Sequence, residues 1–321
     1  MSEHDTSPSD HDPRVVVVTG ASSGIGRATA VRAASAGDHV VLVARGREAL
    51  EEAAAECEEA GAASTLVLTA DVGDDAQVAD VVRAVLTEHG QLDAVVNSAG
   101  VVSYGRTEEV PADVFDGVIR TNLLGSVNVA RHVIPVLRSQ EEGTLVLVGS
   151  VIGHIAVPTM SPYVVSKWGI RALGRQLELE NRDLPDVHIE YVAPGGVDTP
   201  IYQQAANFAG FEGRPPPPVS SPERVAQQIV DSFDRPRLRS QLSLANEVIR
   251  FGFAVLPAVY DTLVAPLFDL AAKDLDRPVE PHNGNVLDTQ QDGNQVHGDQ
   301  GSALGGLARN LVRMVQEVAV R

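Results

Sequence analysis

A single cysteine, Cys57, among 321 residues excludes an intrachain disulfide and suits a reducing compartment. It falls in a Glu- and Ala-rich helical pattern, which marks a structural thiol rather than a reactive one. The histidines are scattered, and no His, Cys and Asp grouping has metal-ligand spacing, so no metal is expected. Positive charge is short. Against 43 acidic residues stand 25 basic ones, and the net charge of −18 argues against nucleic acid and anionic membrane surfaces as partners. No run is long and apolar enough to span a bilayer, which needs about 20 residues. Residues 1–12 form a polar, flexible tail with no apolar core, so no signal peptide is expected and the cytoplasm is the default location. Aromatics make up 4% of the chain, so the core must come from Val, Ala and Leu, as in buried parallel sheets.

Lysine is the scarcest cation. Only Lys167 and Lys273 occur, against 23 arginines. Where arginine does almost every generic cationic job, a retained lysine points to work that a planar guanidinium cannot do. Lys167 lies four residues after Tyr163, so the two share one helix face. A compact ammonium beside a phenol can lower the phenol's pKa and poise it as a general acid and base. Alone, such a pair is as readily a surface contact on a helix, so the assignment depends on corroboration elsewhere.

From residue 14 onward short apolar runs alternate with helical patterns. Strands are expected at 15–19, 39–44, 65–69, 94–97, 144–150 and 188–192, with helices near 25–36, 47–60, 75–89, 113–138 and 162–183. Such alternation implies right-handed crossovers and a parallel sheet covered on both faces. The expected architecture over 13–240 is a doubly wound α/β domain of about seven strands. Residues 199–219, with four consecutive prolines, suit a mobile loop over a pocket. Ser220 and Glu223 form a capping-box pattern that opens a helix. Beyond it, 241–275 reads as an amphipathic helical extension. Its stripe of Ile249, Phe253, Leu256, Tyr260, Leu263, Leu267 and Leu270 is interrupted by Pro257 and Pro266, so two or three short helices are expected rather than one. Residues 276–302 suit a loosely ordered polar linker, and 303–321 a final amphipathic helix with Leu304, Leu307, Leu311, Met314 and Val318 on one face. Both apolar faces are expected to pack on the body or on a second subunit, with attachment at a membrane interface the weaker alternative.

Thr19-Gly-Ala-Ser-Ser-Gly-Ile-Gly26 lies between the first strand and the first helix. Gly20 suits the tight turn, Gly24 the approach of backbone to a pyrophosphate, and Gly26 close packing of helix on sheet. A lone glycine motif is weak, but this one has the required strand–turn–helix context. Ala44 ends the second strand where an NAD-binding chain would carry Asp or Glu. Arg45 and Arg47 follow and can fork onto a 2′-phosphate, with Ser22 and Ser23 as further donors. NADP(H) is therefore the expected cofactor, the other reading of Arg45 being a solvated strand-end cation.

The glycine spacing resembles that of the short-chain dehydrogenase/reductase family, and further matches follow in that family's order. Asn97-Ser-Ala-Gly100 looks like its Asn-Asn-Ala-Gly motif, with Ser98 in place of the second Asn. Ser150 stands thirteen residues before Tyr163 in Tyr163-x-x-x-Lys167. Pro194-Gly-Gly-Val-Asp-Thr199 looks like the Pro-Gly-x-x-x-Thr segment that borders the nicotinamide. The resemblance covers residues 13–235 and implies a Rossmann fold and an NADP-linked oxidoreductase. It implies Tyr163 as acid and base, Lys167 as the cation that lowers its pKa and holds ribose hydroxyls, and Ser150 as a donor to the substrate oxygen. Asn122 is implied to hold a water linking Lys167 to solvent. A strand-end serine that satisfies a loop, and a helical Asn that bonds backbone, are the plainer alternatives. The implied cofactor contacts are Gly20, Ser22, Ser23, Gly24, Ile25, Gly26, Arg45, Asp71, Val72, Asn97, Ala99, Gly100, Tyr163, Lys167, Pro194, Gly195, Val197 and Thr199. Asp71 either accepts from the adenine amino group or caps the helix opening near Asp74.

The expected pocket wall draws on Val151, Ile155, Pro194, Ile201, Tyr202, Phe208 and Phe211, with His154 at its rim, where it meets substrate or makes a structural hydrogen bond. It is apolar and lacks an Arg or Lys clamp, which favours a hydrophobic, lipid-like or steroid-like alcohol or ketone. The chain departs from the family in lacking a glycine-rich segment after the last strand. The expected partners are that small molecule and further copies of the chain in a homodimer or homotetramer. The competing reading is a non-catalytic NADP(H)-binding scaffold acting through the C-terminal helices.

Overall fold

The valine run Val15–Thr19 forms strand β1 and is buried along its whole length, as a strand must be when helices cover the sheet on both sides. In the computed structural model the described residues are 12–234, 244–298 and 300–320, the side chains of 244–245, 304 and 314–320 excepted. Most of the expected tail, and the side chains of Leu304, Met314 and Val318, lie outside them. After β1 come α1 (Gly24–Ala34), β2 (His39–Ala44), α2 (Arg47–Ala60), β3 (Ser64–Thr69), α3 (Asp75–His89) and β4 (Ala94–Asn97). Helices α4 (Ala112–Ile119) and α5 (Gly125–Gln140) are joined by a π-helical turn, Arg120–Leu124, that carries Asn122. Then follow β5 (Gly143–Val148), α6 (Ser161–Glu180), β6 (Val187–Val192) and α7 (Pro222–Asp234).

Six strands, all parallel, pair in the order β3-β2-β1-β4-β5-β6. The residues after α7, where a further strand would continue the alternation, lie outside the described ones. Alternate residues of β1 point to opposite faces: Val15 and Val17 join one apolar core with α3, α5 and α6, and Val16 and Val18 join the other with α1, α2 and α7. The strand order reverses between β1 and β4, whose ends meet at the Thr19–Asn97 pair. Ligand crevices in open α/β sheets form beyond the strand ends at such a reversal.

Helices α8 (Leu244–Val255) and α9 (Pro257–Ala272) break at Leu256, because Pro257 cannot donate to continue the first helix, whereas Pro266 lies inside α9 without ending it; α10 (Ala303–Val320) follows. The loop 199–219 is tethered rather than free. Its short strands pair with Ser103–Tyr104, Gly196–Val197 and Lys273–Asp274, so backbone bonds hold what composition marks as mobile. The polar segment 276–302 also differs from a loose linker, since its backbone and amide side chains bond to the body.

Candidate active site

Two glycines are required at the turn after β1. Gly20 has φ of +68°, and a Cβ there would lie 2.8 Å from the Ala99 backbone; one on Gly26 would lie 2.2 Å from the Gly20 carbonyl oxygen. The turn is thereby pressed against the segment leaving β4. The Thr19 hydroxyl donates to Asn97 Oδ1 at 2.7 Å and accepts from the Ala99 N–H at 3.2 Å. Asn97 Nδ2 donates to Ser126 Oγ (2.8 Å), which donates to the Asn122 carbonyl (2.6 Å).

Ser150 follows β5 in an extended conformation, and its hydroxyl accepts from the Ile152 N–H at 3.2 Å. It is also hydrogen-bonded to the Tyr163 hydroxyl. Burial pushes the Tyr163 phenol above its usual range, while the Ser150 bond pulls the other way. One helical turn along α6, Lys167 is 5% exposed and donates from Nζ to the Val148 carbonyl at 3.0 Å. Its ammonium lies 5.5 Å from the Tyr163 ring centroid, and burial pushes its pKa down to about 8. The lysine's expected lowering of the phenol pKa is not seen: burial raises it, and the group that lowers it is Ser150, not Lys167. The side chain of Asn122 is committed to backbone: Oδ1 accepts from the Val101 N–H (2.8 Å), and Nδ2 donates to the Val101 carbonyl (2.9 Å) and to Ser166 Oγ (3.0 Å). Ser166 Oγ donates in turn to the Tyr163 carbonyl at 2.8 Å.

Tyr191 is a residue that sequence reasoning missed. Its hydroxyl donates to the Ser150 carbonyl at 3.3 Å, and its ring fills the space a Cβ on Gly149 or Gly153 would need. Gly149 beside Ser150 and Gly153 three residues on were the available signal. His154 is buried and packs against the Tyr191 ring rather than lining the cavity, and burial pushes its pKa down to about 4.

A cavity of about 750 Å³ joins these parts. Gly20, Ser22, Ser23, Gly24, Ile25, Arg45, Asp71, Val72, Ala99, Gly100, Pro194, Gly195, Val197 and Thr199 line it together with Ser150, Tyr163 and Lys167. Gly26, Asn97 and Asn122 stand behind the wall as supports. Asp71 Oδ1 accepts from the Gly73 N–H at 2.8 Å, and Asp74, not Asp71, caps α3. Arg45 donates to the carbonyls of Asn285 (2.6 Å) and Val286 (3.4 Å). The cavity runs from the glycine turn at the start of α1 to Ser150, Tyr163 and Lys167, an arrangement that suits a nicotinamide dinucleotide.

The outer wall is apolar, from Ile155, Ile201 and Tyr202 to Ile249, Leu256, Val259, Leu263 and Leu267 on α8 and α9. Phe208 and Phe211 are not part of it; Phe211 packs on Tyr104 beneath the Lys273 ammonium, 4.3 Å from its ring centroid. One cation does lie in the wall. Arg214 is 2% exposed and donates to the Leu270 carbonyl at 3.0 Å. Among the described residues no His, Cys, Asp and Glu grouping could hold a metal, and no helix is long and apolar enough to cross a membrane.

The short chain dehydrogenase family model matches residues 14–209. An NADPH-dependent pterin aldehyde reductase from Arabidopsis thaliana is 36% identical over 168 residues, 52% of this chain and 69% of that protein. The 3-ketodihydrosphingosine reductase of Bos taurus is 32% identical over 222 residues, 67% of each chain. An alcohol dehydrogenase from the archaeon Thermococcus sibiricus, solved with 5-hydroxy-NADP, superposes with a TM-score of 0.62 at 29% identity, covering 71% of this chain and 94% of that one. The match spans the glycine turn, Ser150, Tyr163 and Lys167, and on it the chain belongs to the short-chain dehydrogenase family of nicotinamide-dependent oxidoreductases.

Proposed function

We propose that the chain is an NADP(H)-dependent oxidoreductase that interconverts a carbonyl and a secondary alcohol on a hydrophobic small molecule. The observation that carries this reading is one cavity that Ser150, Tyr163 and Lys167 line together with the glycine turn. Hydride transfer is the chemistry the bound nicotinamide supplies; the protein provides position and electrostatics. Tyr163, kept protonated by burial, donates its proton to the substrate oxygen in reduction and takes it back in oxidation. Ser150 donates to the same oxygen as charge develops there, a contribution of about 10²–10³ in rate for donors of this kind. Lys167 holds the ribose hydroxyls from α6. Asn122 acts by fixing α6 against the chain leaving β4. Arg45, with Ser22 and Ser23, receives the 2′-phosphate; Ala44 offers no carboxylate to repel it.

The hydrophobic substrate rests on the apolar faces of α8 and α9 beyond Tyr163, and a relative named for 3-ketodihydrosphingosine supports that class. Oxidation of NADPH and of NADH should be compared across aliphatic, aromatic and charged carbonyls. Higher kcat/KM with NADPH, and with long apolar ketones, is expected. Equal kcat/KM for both cofactors would overturn the preference, and tight NADPH binding with no turnover on any carbonyl would favour the non-catalytic scaffold.

A further inference from the structure

Residues 283–300 are rich in Asn, Gln, Asp and Gly and have little to bury, yet they are held at four places. Val286, 3% exposed, plugs into the apolar cluster of Val114 and Val118. Gln204 donates to the Gly293 carbonyl (3.3 Å) and Asn294 Oδ1 (3.1 Å), and accepts from Asn285 Nδ2 (3.2 Å). Arg27 Nη1 donates to the Asn294 carbonyl at 2.9 Å. Gln300 Nε2 donates to the Thr199 carbonyl at 3.2 Å. Between these anchors the segment meets two groups suited to phosphate. The Gly24 N–H, first in α1, donates to the Gln295 carbonyl at 2.9 Å, and Arg45 is bonded to the Asn285 and Val286 carbonyls.

A segment so placed either fills the groove or roofs it. The cavity decides for a roof: Asn285, Thr289, Gln290 and Asn294 line it together with Ser22, Ser23 and Asp71. Asn285 Oδ1 is buried in that wall without a hydrogen-bond partner, an acceptor awaiting a donor that the protein does not supply. We propose that residues 285–298 are a strap that closes over the adenosine half of the dinucleotide, orients Arg45 through the Asn285 and Val286 carbonyls, and sets how fast the cofactor leaves. The proposal rests on the cavity being an NADP(H) site.

The test is NADPH dissociation, followed by fluorescence, from the full chain and from its Gln204→Ala and Val286→Asp variants, with far-UV circular dichroism as a check on folding. Loss of the Gln204 side-chain bonds should speed dissociation about tenfold, the effect of one or two hydrogen bonds. Hydrogen exchange of the unaltered chain should show amides 285–298 gaining protection when NADPH binds. Slower dissociation from the variants, or lost protection, would mean that the strap competes with the cofactor, and unchanged values would mean that it plays no part. Either result overturns the proposal while leaving the NADP(H) reading intact. Absence of any NADPH binding to the unaltered chain would overturn that reading itself, and the strap with it.

Discussion

The two walls of the cavity are built in opposite ways. The inner wall stands on β5 and α6, and buried polar bonds run behind it from Thr19 through Asn97, Ser126, Asn122 and Ser166 to the Tyr163 carbonyl. The outer wall keeps Val248, Leu256, Val259, Leu263 and Leu267 exposed. It is pinned at a few points, among them the Tyr260 hydroxyl donating to the Ala156 carbonyl at 2.7 Å and the Trp168 ring set edge-on to Phe253. Geometry that tolerates little misplacement sits where the structure is most cross-linked, and the outer wall is joined to the body at fewer points. A buried polar network tolerates little change, whereas an exposed apolar face can vary without unfolding the core.

Substitutions on the two walls should therefore separate. Lys167→Arg puts a wider, planar cation where the ammonium reaches the Val148 carbonyl, and kcat should fall about 10²-fold or more, while NADPH binding partly survives. Near-normal turnover would erase the inner wall's special standing.

The pH dependence sharpens the same point. The pKa of Lys167 is pushed by burial from 10.5 to about 8, so NADPH affinity should weaken as pH rises above 8, up to about tenfold per unit, because the ammonium loses its charge. Affinity that stays constant to pH 10 would remove the lysine from the cofactor site. For stability the sign runs the other way. The folded pKa lies below the unfolded one, so between pH 8 and 10.5 the unfolded chain binds more protons and stability rises with pH. Lys167→Met should accordingly stabilise the cofactor-free chain at pH 7, by up to about 3 kcal/mol, with the gain shrinking toward pH 10. Denaturant titrations at the two pH values check this.

On the outer wall, Leu263→Asp should raise KM for long apolar ketones about tenfold, the cost of losing one buried leucine contact, with kcat for a small ketone nearly unchanged. A collapse of kcat with every substrate would break the division between the walls. The smallest effect is expected from Tyr191→Phe. It removes one hydrogen bond to the Ser150 carbonyl, so a stability loss of about 1 kcal/mol and a less than tenfold fall in kcat/KM should follow.

The inner wall was legible in the sequence because local rules make it. Valine runs specify buried strands, Gly20 and Gly26 stand where a Cβ has no room, and a spacing of four puts Tyr163 and Lys167 on one face of α6. The roof was not legible. Arg27 reaches Asn294, and Arg45 reaches Asn285, across more than two hundred residues of chain, and polar composition carries no trace of such pairings. The 199–219 loop misled for the same reason: its order comes from strand pairs made with distant segments. Phe208 and Phe211 looked like pocket residues by hydrophobicity, but Phe211 is claimed by Tyr104 and Phe268, and Phe208 by the cluster around α4. Tyr191 reads from sequence as an ordinary strand aromatic, and its role emerges only from the glycines packed against it.

The most direct test is turnover of a hydrophobic ketone by the Tyr163→Phe variant, with NADPH affinity measured in the same preparation. If Tyr163 carries the proton, kcat should fall by about 10²–10⁴ while NADPH still binds as before. Turnover equal to that of the unaltered chain would contradict the account at its centre.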